Sequence, residues 1–144
     1  MFTQLTSEII IEAYARGIFP MADDESSPTV NFYRPEQRGQ LSIPNIHIPK
    51  RLLKTLKQAP YEVKINTNFS AVIAGCADSY EGRESTWINP IIHEVFIELH
   101  AQGHAHSVEC WQGNTLVGGL YGLALGAVFC GESMFSRRDD ASKI

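Results

Sequence analysis

The sequence is short of several things, and each shortage closes off a class of function. Its three cysteines, Cys76, Cys110 and Cys130, form no Cys-x-x-Cys pair and are odd in number. A disulfide framework or a structural zinc site therefore does not fit, and a reducing cytoplasm does. No Gly-x-Ser-x-Gly elbow and no His-Glu-x-x-His is present. His100, His104 and His106 are spaced like a metal set, but Gly103 interrupts the helical face they would need, so no metal is expected. His100 reads instead as a histidine favoured by the dipole at a helix C-terminus. Ser133 to Lys143, after the last predicted strand, holds no glycine, which disfavours the phosphate loops of dinucleotide and coenzyme A sites. The longest uncharged apolar run, Leu116 to Cys130, is fifteen residues with four glycines, too short for a membrane span. Glu8, Glu12 and Arg16 in the first helix argue against a signal peptide. Basic residues are outnumbered, 12 Lys+Arg against 16 Asp+Glu, so any nucleic-acid site must be a local patch.

What remains is a chain of 144 residues, 44% hydrophobic, with enough apolar content for one domain or one and a small appendage. Ser7 is a plausible N-cap for a helix through Ala15, stopped by Gly17, with Ile9, Ile10, Ala13 and Tyr14 inward. Phe19 to Gln40, rich in Pro and acidic residues, reads as an irregular connector in which Thr29 to Tyr33 forms a short strand. Pro44 and Pro49 bracket an extended piece at 46–48, and Pro49 suits the first turn of a helix over Lys50 to Gln58, closed by Pro60. Tyr61 to Ile65 alternates as a strand, and Asn68 caps a helix from Phe69 to about Ser79. A polar loop covers 80–85. Pro90 opens the strongest helical pattern, and Gly103 stops it. His106 to Trp111, Leu116 to Leu125 and Ala127 to Phe135 then form an antiparallel meander. Asp140 to Ile144 reads as the first turn of a further helix. The expected class is α+β.

Four features carry chemistry. Lys50, Lys54 and Lys57 recur at i, i+4 and i+7 on one helical face, beside Arg51, and form a phosphate-contact stripe or an ordinary solvated face. Glycines at 118, 119 and 122 in one strand imply close approach by another backbone, a helix or a ligand, or tight core packing. Glu132 sits between Gly131 and Ser133 with Phe129 and Phe135 on either side, so its carboxylate is either functional or paired, with Arg137 or Arg138 as the partner. Trp87 is either an exposed aromatic platform or a core-capping indole.

Several longer stretches, in order along essentially the whole chain, resemble the leucyl/phenylalanyl-tRNA–protein transferases: Ala15-Arg-Gly-Ile-Phe-Pro-Met21, Thr86-Trp-Ile88, Leu99-His100, Ala105-His-Ser-Val-Glu109, Leu116-Val-Gly-Gly-Leu-Tyr-Gly122, Val128-Phe-Cys-Gly-Glu-Ser-Met-Phe-Ser136 and Ala141-Ser-Lys143. The resemblance implies a small N-terminal domain and connector over 1–40, and over 41–144 the first part of a GCN5-related N-acyltransferase-like (GNAT-like) domain. It implies transfer of leucine or phenylalanine from aminoacyl-tRNA to the N-terminal Arg or Lys of proteins, in the N-end-rule (N-degron) degradation pathway of the bacterial cytoplasm. No cofactor is expected, because a tRNA ester is already activated.

Carried over by motif, Glu132 orients the aminoacyl-adenosine end as the catalytic residue. Phe32, Trp87, Leu120, Phe129 and Ser133 surround the aminoacyl-adenosine pocket, and Lys50, Lys54 and Lys57 contact the tRNA backbone. The chain departs from the family in Phe32-Tyr33, where paired tryptophans are common, and in Phe96, where a tyrosine usually precedes Leu-His. Base stacking is worth roughly 1 to 3 kcal/mol, so Phe32 is expected to weaken adenosine binding without abolishing it. The family's chains run on past Ala141-Ser-Lys143. The expectation is therefore a C-terminally shortened member with little transferase activity and an apolar strand edge prone to aggregation; a non-catalytic tRNA-binding module is the alternative.

Overall fold

Thr6, not Ser7, caps the first helix in the computed structural model, which describes residues 4–78 and 82–144. Its backbone is extended and its hydroxyl accepts from the Ile9 amide, while Ser7 is already helical and donates its own hydroxyl to Glu98 at 3.3 Å. Both residues have capping chemistry, and the one with non-helical φ/ψ takes the role. This helix, α1 (Ser7–Ala15), ends in a Schellman motif: Gly17 has φ +74°, and the Gly17 and Ile18 amides bond Tyr14 and Ala13 carbonyls.

The connector contains more order than composition suggests. β1 (Phe19–Met21) pairs antiparallel with β2 (Asn31–Tyr33). Pro20 concealed β1 from a propensity reading, yet proline is tolerated in an edge strand. A 3₁₀ turn, Ile43–Asn45, follows, and residues 46–48 are irregular. α2 (Lys50–Gln58) starts after Pro49, which is its N-cap residue, and stops at Ala59, whose φ of +44° turns the chain before Pro60 is reached.

β3 (Glu62–Ile65) leads to α3 (Phe69–Ala77), capped by Asn68 accepting from the Ala71 amide at 3.1 Å. The predicted end of this helix at Ser79 and the start of the loop at Tyr80 and Glu81 lie outside the described residues. Asn89 caps α4 (Pro90–Ala101), with Pro90 in the first turn. β4 (Ala105–Gln112), β5 (Thr115–Leu125) and β6 (Val128–Ser136) form the meander, and β3 extends it to a four-stranded antiparallel sheet ordered β3-β4-β5-β6.

Helices α1, α3 and α4 cover one face of this α+β sheet. The core lies between them, built on Ile10, Val72, Ile73, Ile92, Phe96, Leu99, Tyr121 and Leu123. Burying each such side chain stabilises the fold by about 1.5 to 3 kcal/mol. The other face carries a cross-strand row, Ile65, Val108, Leu120 and Met134, whose ends are exposed. Next to it Cys110, Val117 and Ala141 make a small second cluster under the C-terminal segment. That segment is a set of turns, with one i to i+4 bond from the Ile144 amide to Asp140, in place of a helix. No helix among the described residues is long and apolar enough to cross a membrane.

Candidate functional site

Glu132 occupies a β-bulge. Tyr121 pairs with Ser133 and Gly122 with Gly131, so Glu132 is the extra residue on β6. Strict alternation from Phe135 would place Ser133 toward the helices and Glu132 away from them. The bulge re-aims Glu132 inward, where the Tyr14 hydroxyl of α1 donates to its Oε1 at 2.5 Å. Burial pushes the carboxyl up to about 7, against the lowering effects of the Tyr14 hydrogen bond and the Arg38 charge. Burial and the charge of Glu132 together hold the Tyr14 hydroxyl far above its ordinary range, so it stays a donor. The expected partners are engaged elsewhere: Arg137 pairs with Asp78 at 2.8 Å, and Arg138 donates to the Arg137 carbonyl. Both lie beyond the end of β6, whereas Glu132 faces the helix layer.

Glu109 shows what a structural carboxylate looks like in the same sheet. It is fully buried and accepts from the Thr67 hydroxyl, the Asn68 amide at 2.7 Å, and Ser107 and Trp111 at 3.0 Å each. Burial alone would raise its pKa, but these donors outweigh it and hold the carboxyl below the ordinary value. Glu109 thus ties β4 to the start of α3 with its acceptor capacity used. Glu132 has one donor among the described residues.

The surroundings of Glu132 are polar but sparsely bonded. The Tyr121 hydroxyl is buried and has no hydrogen-bond partner among the described residues, and its ring meets Phe69 and Phe96 edge-on. Phe96 is fully buried there, so the tyrosine-to-phenylalanine departure falls against Tyr121. Burial pushes the Cys76 thiol up to about 12, against a lowering effect of Ser133.

The other predicted pocket residues are distributed on both sides of the sheet. Leu120 lies in the outer row, half-buried. Phe129, 44% exposed, lays its ring over Gly122, where a Cβ would meet it at 2.6 Å. Close approach is therefore what the strand glycines serve: at Gly118 a Cβ would lie 2.5 Å from the Ala141 carbonyl. Glycines 122 and 131 are register partners, and nothing lies within 4 Å of the Cβ position of Gly131. Gly131 is thus uncovered, while Phe129 lies over its partner Gly122.

Trp87 is half-buried and packs against the main core; it is not a free-standing platform. Phe32 and Tyr33 point to opposite sides of β2. Phe32 lines a groove with Val30, Ile91, Val95 and Glu98, whereas Tyr33 stacks on Phe19 at 6.2 Å, and Arg38 covers that same Phe19 ring at 4.9 Å. The Arg38 charge acts on both Glu132 and Cys130. Lys50, Lys54 and Lys57 are all exposed on α2, which contributes no buried residue.

The histidines have local roles. His100 Nδ1 lies 2.9 Å from the Ala105 carbonyl and its ring stacks on Phe69, while His106 Nδ1 meets Asn66 at 2.9 Å. No group of three or more His, Cys, Asp or Glu among the described residues is disposed to hold a metal ion.

Sequence reasoning missed Tyr14 and Arg38. Tyr14 was legible as an inward residue of α1, and a buried phenol needs a partner, but nothing local named Glu132.

Comparison with known proteins places these residues in context. The family model described as leucyl/phenylalanyl-tRNA protein transferase matches residues 40–144, and that of the corresponding N-terminal domain matches residues 3–36. Proteins named leucyl/phenylalanyl-tRNA–protein transferase from Maricaulis maris and Caulobacter vibrioides are each 51% identical, over 138 and 139 residues. In both cases the match covers 96% of this chain and 64% of the relative. One from Phenylobacterium zucineum is 50% identical over 135 residues, 94% of this chain and 61% of the relative. The chain thus spans a little under two thirds of the length of the curated relatives it matches.

Proposed function

The chain belongs to the leucyl/phenylalanyl-tRNA protein transferase family, and on that footing we propose that it serves aminoacyl transfer from leucyl- or phenylalanyl-tRNA to the N-terminal Arg or Lys of an acceptor protein, in the cytoplasm. The observation that carries this reading is Glu132: a carboxyl turned by a bulge toward the helix layer, with one hydrogen bond among the described residues and a pKa near 7. A structural carboxylate would be saturated like Glu109. In the reaction the acceptor's free α-amine attacks the ester carbonyl, a tetrahedral oxyanion forms, and its collapse releases the ribose hydroxyl of the tRNA while the amine loses a proton to solvent or base. The ester is already activated, so the protein's contribution is positioning and charge stabilisation.

Glu132 accepts hydrogen bonds from the aminoacyl-adenosine end and orients it, with Tyr14 as the residue that positions the carboxyl. Phe129 and Leu120 offer apolar surface to the transferred side chain; Trp87 backs the core beside Ala22, whose amide bonds the Trp87 carbonyl. Tyr33 supplies an aromatic wall beside Arg38, and Ser133 flanks the bulge as the register partner of Tyr121. Lys50, Lys54 and Lys57 contact the tRNA backbone. The antiparallel order of the sheet, with its helices on one face, supports the GNAT-like reading of 41–144. The separate family matches support a division from 1–40.

The test is transfer of labelled leucine from leucyl-tRNA to a peptide beginning with arginine. Labelling above background, even if slow, is the expected result, and Glu132→Gln should lower its rate by roughly 10²-fold, the scale of losing one positioned contact. Equal labelling by both would remove Glu132 from the mechanism. Salt-sensitive tRNA binding with no labelled peptide would favour a non-catalytic tRNA-binding module.

A further inference from the structure

Charge is segregated in this acidic chain. Seven of its twelve Lys and Arg residues lie in two short segments, Lys50, Arg51, Lys54 and Lys57 on α2 and Arg137, Arg138 and Lys143 after β6, together with only two of the sixteen acidic residues, Asp139 and Asp140. The fold brings the segments together. Arg51 on one side and Ser136 to Asp140 with Lys143 on the other line an open cleft of about 490 Å³. Within it Lys143 is paired with Asp140 at 3.3 Å, and Arg137 reaches Asp78. Arg51 and Arg138 make no ion pair among the described residues.

The second wall is held in place before any ligand arrives. The Tyr61 hydroxyl donates to the Asp139 carbonyl at 2.8 Å, the Arg137 amide bonds the Val117 carbonyl at 2.7 Å, and Ser136 donates to the Arg138 carbonyl at 2.7 Å. Ala141 is seated on Gly118, where no side chain intervenes. These bonds fix the backbone that carries Arg137 and Arg138, and guanidinium groups suit bidentate contact with phosphate oxygens.

We infer that this cleft is a phosphate-binding groove for an RNA sugar-phosphate backbone, in which Arg51 and Arg138 extend the α2 lysine stripe into a two-walled clasp. The inference rests on the tRNA reading above and adds to it a second wall, contributed by the segment after β6. A concave cleft lined only by polar side chains admits a phosphate ridge; a membrane-surface site would present an apolar face to the acyl layer.

The test is binding of a short unacylated RNA duplex across a salt series, which needs neither the ester nor Glu132. Arg51→Gln/Arg138→Gln should bind roughly tenfold more weakly at about 0.1 M salt and flatten the slope of log affinity against log salt by nearly 2, at about 0.9 per lost contact. Its melting temperature, measured alongside, should match the wild type. Unchanged affinity and slope would overturn the groove, as would tighter binding to phosphatidylserine vesicles than to the duplex. If the wild type labels the arginine peptide while the double variant binds duplex normally, the groove falls and transfer stands. If duplex binding is lost in the variant while the wild type never labels peptide, transfer falls and the groove stands.

Discussion

The hydroxyl of Tyr14 donates a 2.5 Å hydrogen bond to Glu132, joining the first helix to the last strand across 118 positions of sequence. Among the described residues it is the one hydrogen bond to a carboxyl that burial otherwise drives toward its neutral form. Tyr14→Phe keeps the ring and removes only the donor, so Glu132 should titrate above its present value near 7. The pH dependence of peptide labelling should move upward with it. A carbon-13 NMR titration of the glutamate carboxyls checks this directly, and an unmoved Glu132 resonance midpoint would show that the bond does not tune the group.

Stability should depend on the two inward-facing glutamates with opposite sign. Glu132 rises from the ordinary 4.5 to about 7 on folding, so its neutral form favours the fold; that contribution is complete below 4.5 and lost as pH rises through about 7. The shift corresponds to a loss on the order of 3 kcal/mol. Glu132→Gln cannot ionise and should lose less stability than the wild type between pH 4.5 and 8. Denaturant melts at several pH values measure the difference; parallel curves for the two proteins would contradict it.

Glu109 works in the other direction. Its folded pKa lies below the ordinary value, so its contribution is present above 4.5 and is lost as pH falls through the folded value. Each Glu109 oxygen accepts from two donors, so Glu109→Gln leaves two of the four facing an amide NH₂ and should cost on the order of 3 kcal/mol at neutral pH. The same denaturant melts report it, and a cost near zero would mean that the Thr67–Asn68 corner repacks around the amide.

Gly118→Ala should lift the segment after β6. The new methyl cannot coexist with the Ala141 carbonyl at its present position, and overpacking of this kind costs typically about 1 to 3 kcal/mol. Cys110, which is 4% exposed and clustered with Ala141, would then become accessible. Faster alkylation of Cys110 by iodoacetamide in the variant is the expected outcome, and equal rates would place the strain elsewhere.

Much of the secondary structure was legible because its signals are local. Asn68 and Asn89 cap α3 and α4 through side-chain oxygens three residues from the amides they satisfy, and alternation with glycine turns marks the meander. Where two adjacent residues had equal chemistry, as at Thr6 and Ser7, only backbone conformation chose between them. β1 was hidden because three residues containing a proline carry no strand signal of their own; its partner β2 stabilises it. Phe32 and Tyr33 show the same limit at the site. Either could replace an aromatic wall, and the pairing of Phe19 with Tyr33 decides which one stands near Arg38.

The sequence by itself determined the α+β class, the Asn68 cap, the meander and the acidic residue in an apolar frame, since these follow from propensity, periodicity and composition over a few neighbouring positions. Tertiary structure decided what that residue faces. Side chains on a strand alternate with a period of two, so one extra residue in the register inverts the direction of Glu132. The inversion turns it from the outer face to the Tyr14 hydroxyl, and no reading along the chain contains the cross-strand pairing that produces it. The same holds for the basic cleft, whose two walls are separated by most of the sheet in sequence and meet only because β3 and β6 carry them to a common side.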